Sequence, residues 1–219
     1  MEVKPKPDFF LAKPRKTVEI HLPDGRVIRG IRNAEVGSFL KVLPEGQENL
    51  IMGAIINGEL HELTFPVRMD SFVQPVVLPD PDGMRIYRRS LVFLLEIAFQ
   101  ALFQPASLIV DHSVAFGGYF CRVMGREPLS TQELESLEAR MRSLVDSDLV
   151  LDRQEVPIEE AIEYFKEQGE HDKVRLLVHR KKSYLTLYRV NGFRDYHHGY
   201  MVPSTGYLRW FRLSPAGEG

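Results

Sequence analysis

Apolar and polar residues alternate over residues 17–22, Pro23-Asp24-Gly25 supplies a turn, and alternation resumes over 26–30, which predicts a β-hairpin. Residues 34–43 set Val36, Phe39, Leu40 and Leu43 on one face of a short helix. The run 51–56, the dipeptide Asn57-Gly58 and the run 59–63 predict a second hairpin with a favoured two-residue turn. A further strand is expected over 73–78.

Hairpin, short helix, hairpin and closing strand is the order of a β-grasp module, placed at 17–78. The lead-in, 1–16, mixes lysine and proline without a period, and nothing shows where its Phe9, Phe10 and Leu11 would dock. Pro79-Asp80-Pro81-Asp82-Gly83 reads as a boundary, because these residues favour turns. A second module is expected over 84–213. It opens with a helix at 87–103, apolar on much of its surface and stopped by Pro105. Strands follow at 108–110 and 118–123. Ser130-x-x-Glu133 is a capping box for a helix whose buried stripe is Leu134, Leu137, Met141, Leu144 and Val145. A strand at 150–156 leads to a helix begun by Pro157 and ended by Gly169. Strands are expected at 174–178, 184–190 and 207–213, and residues 214–219 read as a linker or tail. The fold class is α+β.

Composition narrows the picture without directing it. Over 219 residues, 44% are apolar, 26% are charged and the formal net charge is −2, which exerts no global pull on nucleic acid or anionic lipid. The single cysteine, Cys121, excludes an internal disulfide and a multi-cysteine zinc site and fits a reducing compartment. It lies in an alternating apolar strand and reads as an inert thiol. The apolar stretch 91–103 is interrupted by Glu96 and Gln100, and no run reaches membrane-spanning length. A cytoplasmic protein without membrane partners is the expectation.

Chemistry concentrates in Asp195-Tyr196-His197-His198-Gly199-Tyr200-Met201-Val202-Pro203-Ser204-Thr205-Gly206, which gathers imidazoles, phenols and a carboxylate. Polar groups held between rigid elements are what a binding site is made of. Candidate ligand contacts are Arg89, His112, Asp195, His197, His198 and Tyr200. Arg89 sits in an apolar helix and needs a counter-charge, for which Asp195 is the favoured internal partner over an anionic ligand. His21 and His61 read as surface residues on strands. The basic run His179-Arg180-Lys181-Lys182, followed by Tyr184, could neutralise RNA phosphates, but the acidic balance favours a solvated loop. Trp210 and Phe211 are expected in the core or at an interface.

The segment bearing Leu22-Pro23-Asp24-Gly25 and Ile56-Asn57-Gly58-Glu59-Leu60 resembles a TGS domain. The remainder resembles the editing, or second additional, domain of threonyl-tRNA synthetase. The 195–206 stretch is similar to that family's Asp-Leu-Cys-Arg-Gly-Pro-His-Val-Pro-Asn-Thr-Gly signature. The resemblance implies a cleft with a His-x-x-x-His pair and a Cys-x-x-x-His pair. Here these fall on Arg89 and Phe93, and on His197 and Met201. Arginine is no base near neutral pH, phenylalanine has no donor or acceptor, and a thioether is a poor ligand for a hard ion. The resemblance therefore implies a degenerate cleft with no metal. Ile86-Tyr87-Arg88-Arg89-Ser90-Leu91, together with 195–206, also resembles the N-terminal half of bacterial uridine-kinase-like nucleoside kinases. That implies a non-catalytic ligand-binding or regulatory region whose partner is its own downstream kinase domain, the chain being either an excised half or a protein that lost its kinase. ATP and magnesium would belong to that domain, since these residues contain no Gly-x-x-x-x-Gly-Lys-Ser/Thr loop. The alternative is a free-standing aminoacyl-tRNA deacylase or tRNA-binding module, with His197 ordering a water in a metal-free mechanism.

Overall fold

The computed structural model describes residues 13–44, 50–114 and 117–217. Phe9, Phe10 and Leu11 lie outside them. The first sheet takes strands β1 (Thr17–His21), β2 (Val27–Ile31), β3 (Ile51–Ile56), β4 (Glu59–His61) and β5 (Ser71–Val77) in the order β2-β1-β5-β3-β4. β1 and β5 run parallel at the centre and the other pairs are antiparallel. A short helix, α1 (Val36–Leu40), crosses one face. This is the β-grasp arrangement. Alternation decides the faces, with Val18 and Ile20 inward and their neighbours outward. They join Phe39, Leu40, Ala54, Ile56 and Val73 in one cluster. The Asn57-Gly58 turn forms as expected, both residues having positive φ.

β3 is buried on both faces, because its second face meets the long helix α2 (Pro81–Phe103). Met52 packs there, and a Cβ on Gly53 would come within 3.0 Å of Ile86. α2 begins six residues before the expected start at 87. The cluster 79–83 is its N-terminal turn. Proline is tolerated at the first helical position, where no N–H is needed, and Asp80 occupies the N-cap. The Asp80 carboxylate accepts from the Val77 N–H at 2.9 Å, which binds the helix start to the end of β5.

The rest comprises the hairpin β6 (Ser107–Ser113) and β7 (Tyr119–Met124), the helix α3 (Thr131–Asp146), and the sheet β10-β9-β8. The strands of that sheet are β8 (Asp152–Pro157), β9 (Tyr184–Val190) and β10 (Phe193–Tyr196), and α4 (Ile158–Glu167) and α5 (His171–Val178) complete the elements. The α3 capping box is made in full, and Leu137, Met141, Leu144 and Val145 are buried. Two expectations fail. Residues 174–178 are helical: Val174 and Leu177 turn inward while Arg175 and Leu176 between them are exposed, an i, i+3 spacing that no half-buried strand would give. Tyr207 closes a single 3-10 turn (Thr205–Tyr207), and residues 208–213 are a strap outside any sheet whose backbone is held by side chains. Arg142 donates to the carbonyls of Arg209 and Phe211, Glu138 accepts from Leu213 N–H, and the Tyr87 hydroxyl bonds both N–H and C=O of Trp210. Trp210 is itself exposed, so it lies outside the core of this chain.

Candidate functional site

One face of α2 carries Arg89, Phe93 and Glu96, at helical spacing, and lies along the segment 195–201 that leaves β10. The register between them is fixed by Ser90. Its hydroxyl donates to Ile86 C=O and accepts from Val202 N–H at 3.0 Å, fully buried. Downstream, Thr205 bridges Leu144 C=O and Leu149 N–H, and the Asp148 carboxylate accepts from Gly206 N–H. The Pro-Ser-Thr-Gly turn is therefore a latch onto the end of α3. Met201 and Val202 are core residues.

Above this latch lies a polar seam. His197 Nε2 stands 2.9 Å from a Glu96 carboxylate oxygen, and its ring meets Phe93 edge-on with centroids 5.4 Å apart. Phe93 is fully buried and also touches Tyr188 and Phe193, so it holds the imidazole plane. A carboxylate accepting from Nε2–H leaves the lone pair on Nδ1, where it can act as a base. Asp195, 6% exposed, takes Lys173 Nζ on both oxygens, at 2.7 and 2.8 Å, and also accepts from Tyr196 N–H. Burial by itself lowers the Lys173 pKa. The Asp195 charge and hydrogen bonds, with smaller pulls from Glu170 and Glu96, outweigh it and raise the pKa above its ordinary value.

Two of these partners were missed from sequence. Glu96 was visible only as a polar break in an apolar run, and Lys173 was hidden by reading 174–178 as a strand. The seam also changes the argument about metals. Glu96, Asp195 and His197 bring ligand-type atoms within 4.8 Å of one another, a set that could hold a divalent ion. His197 is thus not a lone ligand. The Lys173 ammonium on Asp195 opposes a second cation there.

Arg89 does not pair with Asp195. Its Nη1 donates to Tyr200 C=O at 2.6 Å, and its guanidinium lies against Gly199, where a Cβ would approach Cζ to 2.8 Å. His198 is exposed and bonds the Tyr196 hydroxyl, which also accepts from Arg180. Tyr200 neighbours His61 and lies 5.9 Å from the Arg153 guanidinium carbon. His112 is not brought into the seam; it stands on β6 beside Asp111, stacked on Phe120. Cys121 is half-buried, with its thiol pushed up to about 11 by burial and then by the Glu96 charge, as suits an inert thiol. Lys181 and Lys182 are exposed.

The β-grasp sheet reaches the same segment. His61, expected at the surface, keeps only 15% of its side-chain exposure and packs on Phe65 with ring centroids 3.9 Å apart. Burial lowers its pKa, against a smaller opposing pull from Glu59. The Glu62 carboxylate accepts from Tyr188 OH at 3.0 Å and lies 3.7 Å from Arg153, yet burial still raises its pKa. Tyr188 OH also lies 3.3 Å from Gly199 C=O.

No family model matches the chain. It is similar to threonine–tRNA ligases: 29% identical over 201 residues to that of Thermotoga maritima, covering 90% of this chain and 30% of the relative. The enzyme of Halorhodospira halophila is 34% identical over 160 residues, covering 73% and 25%. That of Syntrophotalea carbinolica is 28% identical over 198 residues, covering 90% and 31%. The chain thus spans about a third of the length of the curated relatives it matches. These relatives support a synthetase-related module with a β-grasp and editing-like α+β fold, and lend nothing to the nucleoside-kinase resemblance. No helix among the described residues is long and apolar enough to cross a membrane.

Proposed function

We propose that this chain is an aminoacyl-tRNA deacylase module, hydrolysing the ester between an amino acid and the terminal ribose of a tRNA. The single observation carrying this reading is the His197–Glu96 pair beside Lys173–Asp195, on the segment that matches the synthetase signature. Glu96 orients the ring and supports positive charge on it. Nδ1 takes a proton from water as the water oxygen attacks the ester carbonyl. The Lys173 ammonium supplies positive potential for the oxyanion. When the ester C–O bond breaks, the imidazolium returns the proton to the ribose oxygen, releasing the amino acid and tRNA. In this route His197 stands where the family signature has its cysteine, and Glu96 stands at a position the family pattern does not use. The cleft would then be re-equipped rather than disabled.

The test is hydrolysis by the purified chain of correctly and wrongly charged tRNAs. His197→Ala should abolish turnover, and Glu96→Gln should reduce it by about 10²-fold or more, since base and orienter act as a unit. Full activity in His197→Ala would end this reading. Binding of tRNA without hydrolysis would leave a tRNA-binding module.

A further inference from the structure

The cleft acids are both engaged: Asp195 by Lys173, Glu96 by His197. Among the described residues Arg89 is left with one hydrogen bond, to the neutral Tyr200 carbonyl, and no carboxylate lies within ion-pair distance of it. Its remaining nitrogens are not among the buried unpartnered atoms, so they reach solvent. A half-buried guanidinium without a counter-charge is unfavourable, and burial accordingly lowers its pKa. Nothing among the described residues supplies that counter-charge.

Two further features fit an anion arriving from outside. Gly199, at φ +93°, lets the guanidinium lie flat on the backbone, which any side chain would obstruct. Arg89 also lies seven residues from Glu96 on one helix, a rise of roughly 10 Å along the axis. An ester held at His197 would therefore place groups one nucleotide or so away near Arg89.

We propose that Arg89 is a phosphate receptor, binding a backbone phosphate of the nucleic-acid 3′ end whose terminal ester lies at His197. The ligand class is a phosphate on a nucleotide, recognised by the two-pronged guanidinium. This rests on the reading of the cleft given above, but binding can be measured without turnover.

The experiment is titration of the full chain with three probes: a short uncharged single-stranded RNA ending in adenosine, AMP, and adenosine. Wild type, Arg89→Gln and Arg89→Lys are compared at several salt concentrations, with melting temperatures as the fold control. Arg89→Gln should weaken RNA about tenfold to a hundredfold, and lower the slope of log affinity against log salt by about 0.7. Arg89→Lys should recover part of the loss, and adenosine binding should be the same in all three. Equal, Arg89-dependent binding of AMP would assign the phosphate to a free nucleotide and keep the receptor. RNA binding unchanged in Arg89→Gln, or no phosphate-dependent binding by wild type, overturns the proposal. Arg89-dependent binding without any hydrolysis would instead sink the deacylase reading and leave this one standing.

Discussion

Replacing Lys173 with methionine tests whether the seam is a buried electrostatic unit or a surface ornament. Methionine keeps most of the apolar stem and removes the ammonium, which also stands 5.1 Å from the centroid of the Phe165 ring. Asp195 keeps 8% of its side-chain exposure and Lys173 33%. Breaking a fully buried pair costs about 3–5 kcal/mol, because one charge stays uncompensated. The third of Lys173 open to solvent and the remaining Tyr196 N–H bond to Asp195 bring the expectation down to about 2–3 kcal/mol. In a chain of this size that is a fall in melting temperature of about 5–10 °C. Asp195→Asn should cost less, since the freed ammonium can turn to solvent and to Glu170, 3.5 Å away. Adding Asp195→Asn to Lys173→Met should restore most of the loss, and the cycle then isolates the pair. Circular-dichroism melts and denaturant midpoints of the four proteins decide it. A Lys173→Met cost below about 0.5 kcal/mol is what an exposed pair would give, and it would refute the reasoning.

Glu62→Gln should alter the pH profile of stability. The folded state raises the Glu62 pKa, so it holds that proton more tightly than the unfolded chain does. The contribution is complete below the unfolded pKa, near about 4.3, and is lost as pH rises through the folded pKa. Glutamine has no such loss, so the variant should gain on wild type as pH rises from about 4 toward 7; parallel denaturation profiles would contradict this. Gly83→Ala should be destabilising even though alanine is the better helix former by about 1 kcal/mol. Its Cβ would lie 2.0 Å from the Val77 carbonyl oxygen, and separating α2 from β5 should cost about 1–3 kcal/mol. A Gly83→Ala protein that melts higher than the parent would show that the contact yields.

Elements whose signals are confined to a few neighbouring residues were legible in the chain itself. The Asn57-Gly58 hairpin, the alternation that buries Val18 and Ile20, and the Ser130–Glu133 capping box are of this kind. So was the gathering of imidazoles, phenols and a carboxylate in 195–206, which is a matter of composition alone. What the local code could not supply was direction. The run 174–178 is compatible with either secondary structure, and packing against α4 chose the helix. The strap 208–213 has strand composition but lies where Arg142, Glu138 and Tyr87 satisfy its backbone in place of a neighbouring strand.

The candidate site divides the same way. The sequence determined which groups could ionise; tertiary structure decided who meets whom. His197 finds Glu96 across 101 residues, and Lys173 takes the Asp195 that local reasoning had given to Arg89. A charged side chain pairs with whichever opposite charge the packed backbone brings within a few ångströms, and that distance is set by the core between the elements, not by spacing along the chain.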